Sequence, residues 1–324
     1  AGYALALDDS LNIYVTGGTR SSDYPSTAGA YHTTYQGGKA DGYIAKIHHN
    51  GNVLMKSTFI GTSVYDQSYF VQLDRNSNVY VVGQTEGTMP VTSGVYSNAN
   101  GKQFINKLDK NLSTLLIGTV FGNGTSTLPN ISPAAFLVDD CENIYVSGWG
   151  GNIITGISTS GMPITTGAYQ ITTDGFNFYL MVLSTNATSL DYATYFGGSL
   201  SREHVDGGTS RFDKKGIVYQ SVCAGCGGHD DFPVTPGSWP YTSAGYSTST
   251  GINFASNCNN GTFKFNFQVP PVVAQFTVDS LFGCAPYTVN FVNTSTSWIS
   301  YLWSFGNGDT TSVHFNPTYT FNTQ

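Results

Sequence analysis

The side chains best suited to chemistry crowd into one run, VCAGCGGHDDFPVTPGSW, from Val222 to Trp239. It opens with Cys223-x-x-Cys226 and adds His229 and the pair Asp230-Asp231. With Cys258 these residues make a Cys3His set of the type that binds zinc. Structural zinc ligands come in two tight pairs, however, and Cys258 stands alone. A redox dithiol needs a helix start after its second cysteine. Gly227-Gly228 and Asp230-Asp231-Phe232-Pro233 argue against one. We therefore expect a disulfide from Cys258 to either Cys223 or Cys226. Closing that loop would stabilise the fold by roughly 3–4 kcal/mol in the chain-entropy account. Cys141 is left to take the remaining cysteine of the pair or to stay as a buried thiol. Cys284 has no evident partner in the sequence.

Other chemistries find less support. The six histidines occupy no repeated position and no H-E-x-x-H context. No G-x-S-x-G nucleophile turn occurs. Gly148-Trp149-Gly150-Gly151-Asn152 lacks the lysine of a phosphate cradle. Asp139-Asp140 and Asp230-Asp231 read as solvated turn acids rather than calcium ligands. We expect no cofactor and no catalysis. Trp149, Trp239, Tyr241 and Tyr246 fall in or near expected loops, where exposed rings stack on sugars. The competing reading makes them rim packing. The net charge is −7 without any basic run, so a nucleic-acid footprint is missing. No apolar stretch reaches 18 residues. Low charge (10%) with many aromatic, Thr, Asn and Gly residues favours strands over helices and suits an extracellular surface.

The elements that carry these residues are repeated. PVTPGSW (Pro233) matches PSTAGAY (Pro25), PVTSGVY (Pro90) and PITTGAY (Pro163), at intervals of 65, 73 and 70 residues. Upstream of each lies NIYVTG (Asn12), NVYVVG (Asn78), NIYVSG (Asn143) or GIVYQS (Gly216). Downstream lies GYIAKI (Gly42), QFINKL (Gln103), FYLMVL (Phe178) or TFKFNF (Thr262). STFIG, GTVFG and ATYFG complete the first three copies, while Val269-Pro270-Pro271 intervenes in the fourth. Each copy thus offers about four short strands with apolar faces, and sheets of that kind are stable only when stacked. The expected fold is all-β, a β-propeller with four visible blades, over about 1–63, 64–126, 127–201 and 202–269. Because the sequence opens on the first strand of one copy and the fourth copy lacks its last strand, we expect the chain to be an excerpt of a larger propeller.

Residues 270–275 read as a linker. Beyond it, over 276–324, strands are expected at Tyr287–Phe291 and Tyr301–Phe305, with a hairpin turn at Gly306-Asn307-Gly308-Asp309. Their spacing around a buried Trp303 suggests an immunoglobulin-like β-sandwich, incomplete at its C-terminus.

Trp303-Ser304-Phe305-Gly306-Asn307-Gly308 and Asn316-Pro317-Thr318-Tyr319 resemble the W-D-F-G-D-G and N-P-x-H-x-Y hallmarks of PKD domains. Both acidic hallmark positions are neutral here, Ser304 and Asn307, which removes the basis for a cation role. The repeats over 1–267 resemble SBBP-type β-propeller repeats. The combination is similar to large surface proteins of gliding Bacteroidetes-type bacteria. That resemblance implies export by type IX secretion and, at Asp-Ser/Thr-apolar triplets, O-glycans on Ser10, Ser280 and Thr310. It implies a secreted, non-catalytic scaffold or stalk for adhesion or gliding motility. Its partners would be other cell-surface or secretion-system proteins, with glycans as a second class. The rival reading is the carbohydrate-binding accessory region of a polysaccharide-active enzyme.

Overall fold

The computed structural model describes residues 1–150, 157–205, 210–226, 229, 231–238, 259–267, 274–295 and 301–322. The chain divides into two units, Ala1–Phe267 and Gln268–Gln324. Both are built from strands.

In the first unit four antiparallel sheets follow one another along the chain. The first is β1 (Gly2–Leu7), β2 (Ile13–Thr19), β3 (Asp41–Ile47) and β4 (Leu54–Ile60), paired in that order. The second is β5 (Asp66–Leu73), β6 (Val79–Thr85), β7 (Gln103–Leu108) and β8 (Leu115–Phe121). The third is β9 (Ser132–Val138), β10 (Ile144–Trp149), β11 (Phe178–Leu183) and β12 (Leu190–Phe196). In the fourth, β13 (Arg202–His204) and β14 (Arg211–Phe212) both pair with β15 (Val218–Cys226), which pairs in turn with β16 (Asn259–Phe265). One short 3-10 turn, Thr185–Ala187, joins β11 to β12. The first strands lie against one another, β5 on β1, β9 on β5 and β14 on β9. Several four-stranded antiparallel sheets, meeting along their first strands, fit a β-propeller.

The sequence dictates this through strands that are apolar on both faces. Every residue of VYVVGQT in β6 is buried, as is every residue of FYLMVL in β11. A strand with two apolar faces needs a neighbour on each side. Tyr14, Ile44 and Ile60 of the first sheet pack with Val71, Val79, Val81, Phe104 and Leu108 of the second. Tyr80, Val82 and Ile105 of the second pack with Phe136, Val138, Ile144 and Val146 of the third. Each such buried side chain stabilises by roughly 1.5–3 kcal/mol.

Turns between first and second strands share one device. Asp8 Oδ1 accepts the N–H groups of Ser10 and Asn12 at 3.0 and 2.9 Å. Asp74, Asp139 and Asp213 repeat the bonds to Asn76 and Asn78, Cys141 and Asn143, and Lys215 and Ile217. The third residue after each aspartate is left-handed: Leu11, Ser77 and Glu142 at φ 61°, and Gly216 at 76°. Side-chain closure of the turn outweighs the cost that conformation carries for a residue with a β-carbon.

The Pro-x-Thr-x-Gly-x-Tyr segments run between second and third strands and reach the outer rim. Thr27 binds the backbone of Ser57 in β4, Thr92 that of Gly118 in β8, and Thr165 that of Ala193 in β12. In each, backbone and hydroxyl together occupy the N–H and C=O of an edge strand, groups that would otherwise template pairing with another chain. The following tyrosine reaches forward. Tyr31 N–H donates to Leu112 O and Tyr96 N–H to Ala187 O, both in the next repeat, at 2.8 and 2.7 Å.

The second unit pairs β17 (Phe276–Val278), β18 (Tyr287–Asn293) and β21 (Thr318–Phe321), and separately β19 (Trp303–Ser304) with β20 (Thr310–Thr311). The expected strand over Tyr301–Phe305 is thus only two residues long, because its partner β20 pairs with it only at Trp303 and Ser304; the expected turn follows, with Gly306 and Gly308 at φ 84° and 96°. Trp303 is half-buried, between Phe276 and Phe291, with ring centroids 5.5 Å from both.

Candidate functional site

Directly opposite residues on neighbouring strands share a face, and this exposes a difference between the sheets. In the second sheet the rows Val71–Val81 and Leu73–Val79–Leu108 face the first sheet and are covered by it. In the third, Phe136–Val146–Met181 and Val138–Ile144–Leu183 are covered by the second. The equivalent rows of the first sheet are Leu5–Val15–Ala45 and Leu7–Ile13–Ile47–Leu54. Here Leu5 is 67% exposed and Leu7 52%, where Val71 is 1% and Phe136 5%. Leu54 is exposed too, and Ile13, Val15 and Ile47 are half-buried. An apolar face of this kind is what the other sheets bury.

At the end that carries the Asp turns, a lysine–aspartate–tyrosine network closes the first and second sheets. Lys46 Nζ meets Asp8 at 3.0 Å and sits 4.9 Å from the centre of the Tyr14 ring. Lys107 repeats both contacts with Asp74 (2.9 Å) and Tyr80 (4.9 Å). Lys264 lies over Tyr219 in the fourth sheet, and Val182 takes the lysine position in the third. Glu142, from the third sheet, reaches back to Lys107 at 2.7 Å and accepts from the Tyr80 hydroxyl at 2.9 Å. Burial works against the Lys107 charge. Glu142, Tyr80 and Asp74 overcome it and hold the ammonium well above its usual range.

At the opposite end each sheet passes to the next through a glycine. Gly61, Gly122 and Gly197 follow the fourth strands. The next residue donates its N–H to a side chain at the entry to the following sheet: Thr62 to Asp66, Asn123 to Asn130 and Gly198 to Glu203. A second side chain faces each acceptor across the glycine, namely Asp41, Gln103 and Asn177. Gln103 donates to Phe121 O and accepts from the Asn130 N–H. Asn177 donates to Glu203 Oε2 at 3.2 Å. Burial pushes Glu203 up to about 7 in spite of three hydrogen bonds.

The cysteine region differs from expectation in one respect. Cys223 and Cys226 lie inside the second strand of their sheet, β15, and not after it, because the strand runs on to Cys226. Cys223 is buried. Cys258 and the Cys226 side chain lie outside the described residues, and with them the expected disulfide. The ladder brings Asn259 opposite Ala224. Cys141 is an exposed free thiol, not a buried one, because it occupies the outer corner of the Asp139 turn. Trp149 is half-buried with its ring 5.8 Å from that of His204. Trp239, Tyr241 and Tyr246 lie outside the described residues. Ser10 and Thr310 are exposed, and Ser280 is half-buried with its hydroxyl donating to Phe282 O. Among the described residues no three His, Cys, Asp or Glu side chains gather as a metal would require.

Four acids that the sequence reading missed or undervalued are Asp41, Asp66, Glu203 and Asp231. Asp66 opens β5, Glu203 follows Arg202 at the start of β13, and Asp41 opens β3. A polar residue at the mouth of an apolar strand was the available signal. Asp231 accepts from Ser199, Leu200 and Ser201, at the passage into the fourth sheet.

No family model matches the chain, and no curated protein matches it. Among solved structures it is similar to one described as "Structure of Dos1 propeller", at 10% identity and a TM-score of 0.33. The match covers 68% of this chain and 42% of that one, so this chain spans less than half of that protein's length.

Proposed function

We propose that this chain is part of a non-catalytic, secreted surface protein that works as a scaffold or stalk. It is built from SBBP-type propeller repeats and a PKD-like sandwich, and it serves adhesion or gliding motility through contacts with other surface proteins. The observation that carries this reading is repeated apolar exposure on the rim: the second residue of the Pro-x-Thr motif, Val91, Ile164 and Val234 in the last three copies, is an exposed hydrophobic side chain. Burying such side chains against a partner contributes up to roughly 1.5–3 kcal/mol each. Type IX export, a Bacteroidetes-type source, O-glycans and glycan partners rest on the repeat and PKD-like motifs alone.

The test is the double variant Val91→Asp, Ile164→Asp in the full-length protein expressed in its own cells. Because both side chains are exposed, the fold should survive, with an unchanged far-ultraviolet dichroism spectrum. Co-purification with surface proteins, and adhesion or gliding, should be lost. A folded variant that keeps its partners and its phenotype defeats the proposal.

A further inference from the structure

The three passages between sheets share one plan and differ in the pair of side chains that meet there. In the third, Asn177 Nδ2 lies 2.5 Å from where a β-carbon of Gly197 would stand, beside Glu203 Oε2 at 2.6 Å, and donates to it. In the first, Asp41 Oδ1 lies 2.6 Å from the corresponding point at Gly61, beside Asp66 Oδ2 at 3.2 Å. Asp41 opens β3 five residues before Lys46, and Asn177 immediately precedes β11, five residues before Val182 at the matching position. An amide donor in one copy is therefore a carboxyl oxygen in the other. Asp41 and Asp66 are both 0% exposed. Asp41 Oδ1 has no hydrogen-bond donor facing it. Its other oxygen accepts from Gln36 N–H, and Asp66 Oδ2 already accepts from the Thr62 N–H and hydroxyl.

We infer that Asp41 is a protonated acid in the stable fold, that its Oδ1–H donates to Asp66 as Asn177 donates to Glu203, and that this proton staples the first sheet to the second. Losing the proton to solvent leaves two facing carboxylates with no donor between them and loosens the passage. The groups around the pair do not supply another cation. Glu86, after β6, adds negative charge and is bridged to Lys39 at 3.8 Å. Lys102 spends its ammonium on the carbonyls of Glu86 and Gly87. Tyr35 and Tyr65 are neutral phenols, and Arg20 acts on Tyr35. Burial, and with it the Asp66 charge, pushes Asp41 up to about 6. Burial raises Asp66 as well.

The direction follows from linkage. An acid raised from roughly 4 in the unfolded chain binds its proton more tightly when folded. Its stabilisation is complete below about pH 4 and is lost as pH rises through about 6, a change of roughly a hundredfold in the folding constant. Glu203 gives a slope of the same sign, so the informative quantity is the difference between variants.

The experiment is urea unfolding of the full chain from pH 4 to pH 8 for wild type, Asp41→Asn and Asp66→Asn. Wild type and Asp41→Asn should agree at pH 4 and separate above it, the variant being up to about a hundredfold more stable at pH 8. Asp66→Asn supplies the donor from the other side and should behave alike, which keeps the test alive if one variant fails to fold. A carboxyl carbon resonance of Asp41 titrating near 6 supports the assignment. Curves that stay parallel from pH 4 to 8 overturn it. So does calcium chloride that stabilises wild type at pH 8 but not Asp41→Asn, because a cation would then fill the place given to the proton.

Discussion

Asp231 receives hydrogen bonds from three consecutive residues: Ser199 N–H and hydroxyl, Leu200 N–H and Ser201 N–H, at 2.6 to 2.9 Å. Burial works against its charge, but the bonds from Ser201, Ser199 and Leu200 prevail and hold the carboxyl well below the usual range. Asp231→Ala should therefore cost about 2–3 kcal/mol near neutral pH, since bonds to an ionised acceptor are the strong ones. A depressed acid stabilises above its unfolded value and stops doing so as pH falls through the folded one. The gap between wild type and Asp231→Ala in urea should be flat above about pH 4 and shrink below it. A gap that stays constant down to pH 2 would refute this account. In the sequence, Asp230-Asp231 reads as a pair of solvated turn acids. Nothing local signals that Asp231 is met by backbone from thirty residues earlier, because the contact is made by the passage between sheets.

At the scale of elements, the repeated threonine acts on the rim. Thr92 Oγ1 pairs with the N–H and C=O of Gly118 at 3.2 and 3.4 Å, and Thr165 does the same for Ala193. Thr92→Val keeps the shape and removes the hydroxyl. We expect a loss of about 1 kcal/mol and faster amide exchange at Gly118. Unchanged exchange there would mean that the backbone bond from Thr92 suffices. These elements were legible in the sequence to different degrees. NIYVTG and GYIAKI became β2 and β3 because alternation and β-branching act locally. The proline-threonine motif was visible as a repeat and readable as a turn. Its service to the fourth strand was not, because Thr27 and Ser57 meet only after folding. β15 ran past its expected end because Gly225 fits the ladder as well as it fits a turn.

For the whole molecule, periodicity told most of the story. Spacings of 65 to 73 residues implied stacked sheets before any contact was known. What spacing could not supply was the difference among copies. Acid faces acid at Asp41 and Asp66, amide faces acid at Asn177 and Glu203, and valine replaces lysine at Val182. Such departures are invisible until the copies are superposed in space, and they are where one repeat ceases to be interchangeable with another. The forward reach of Tyr31 and Tyr96 carries a consequence for the order of events at the ribosome. Each loop's last bond is made by a carbonyl that has not yet been translated when the loop itself emerges. A nascent chain halted after Gly61 should leave the Pro25–Tyr31 loop open to protease, and one halted after Gly122 should protect it. Maturation of the first two sheets then proceeds like a zip in which each tooth is locked by the one behind it.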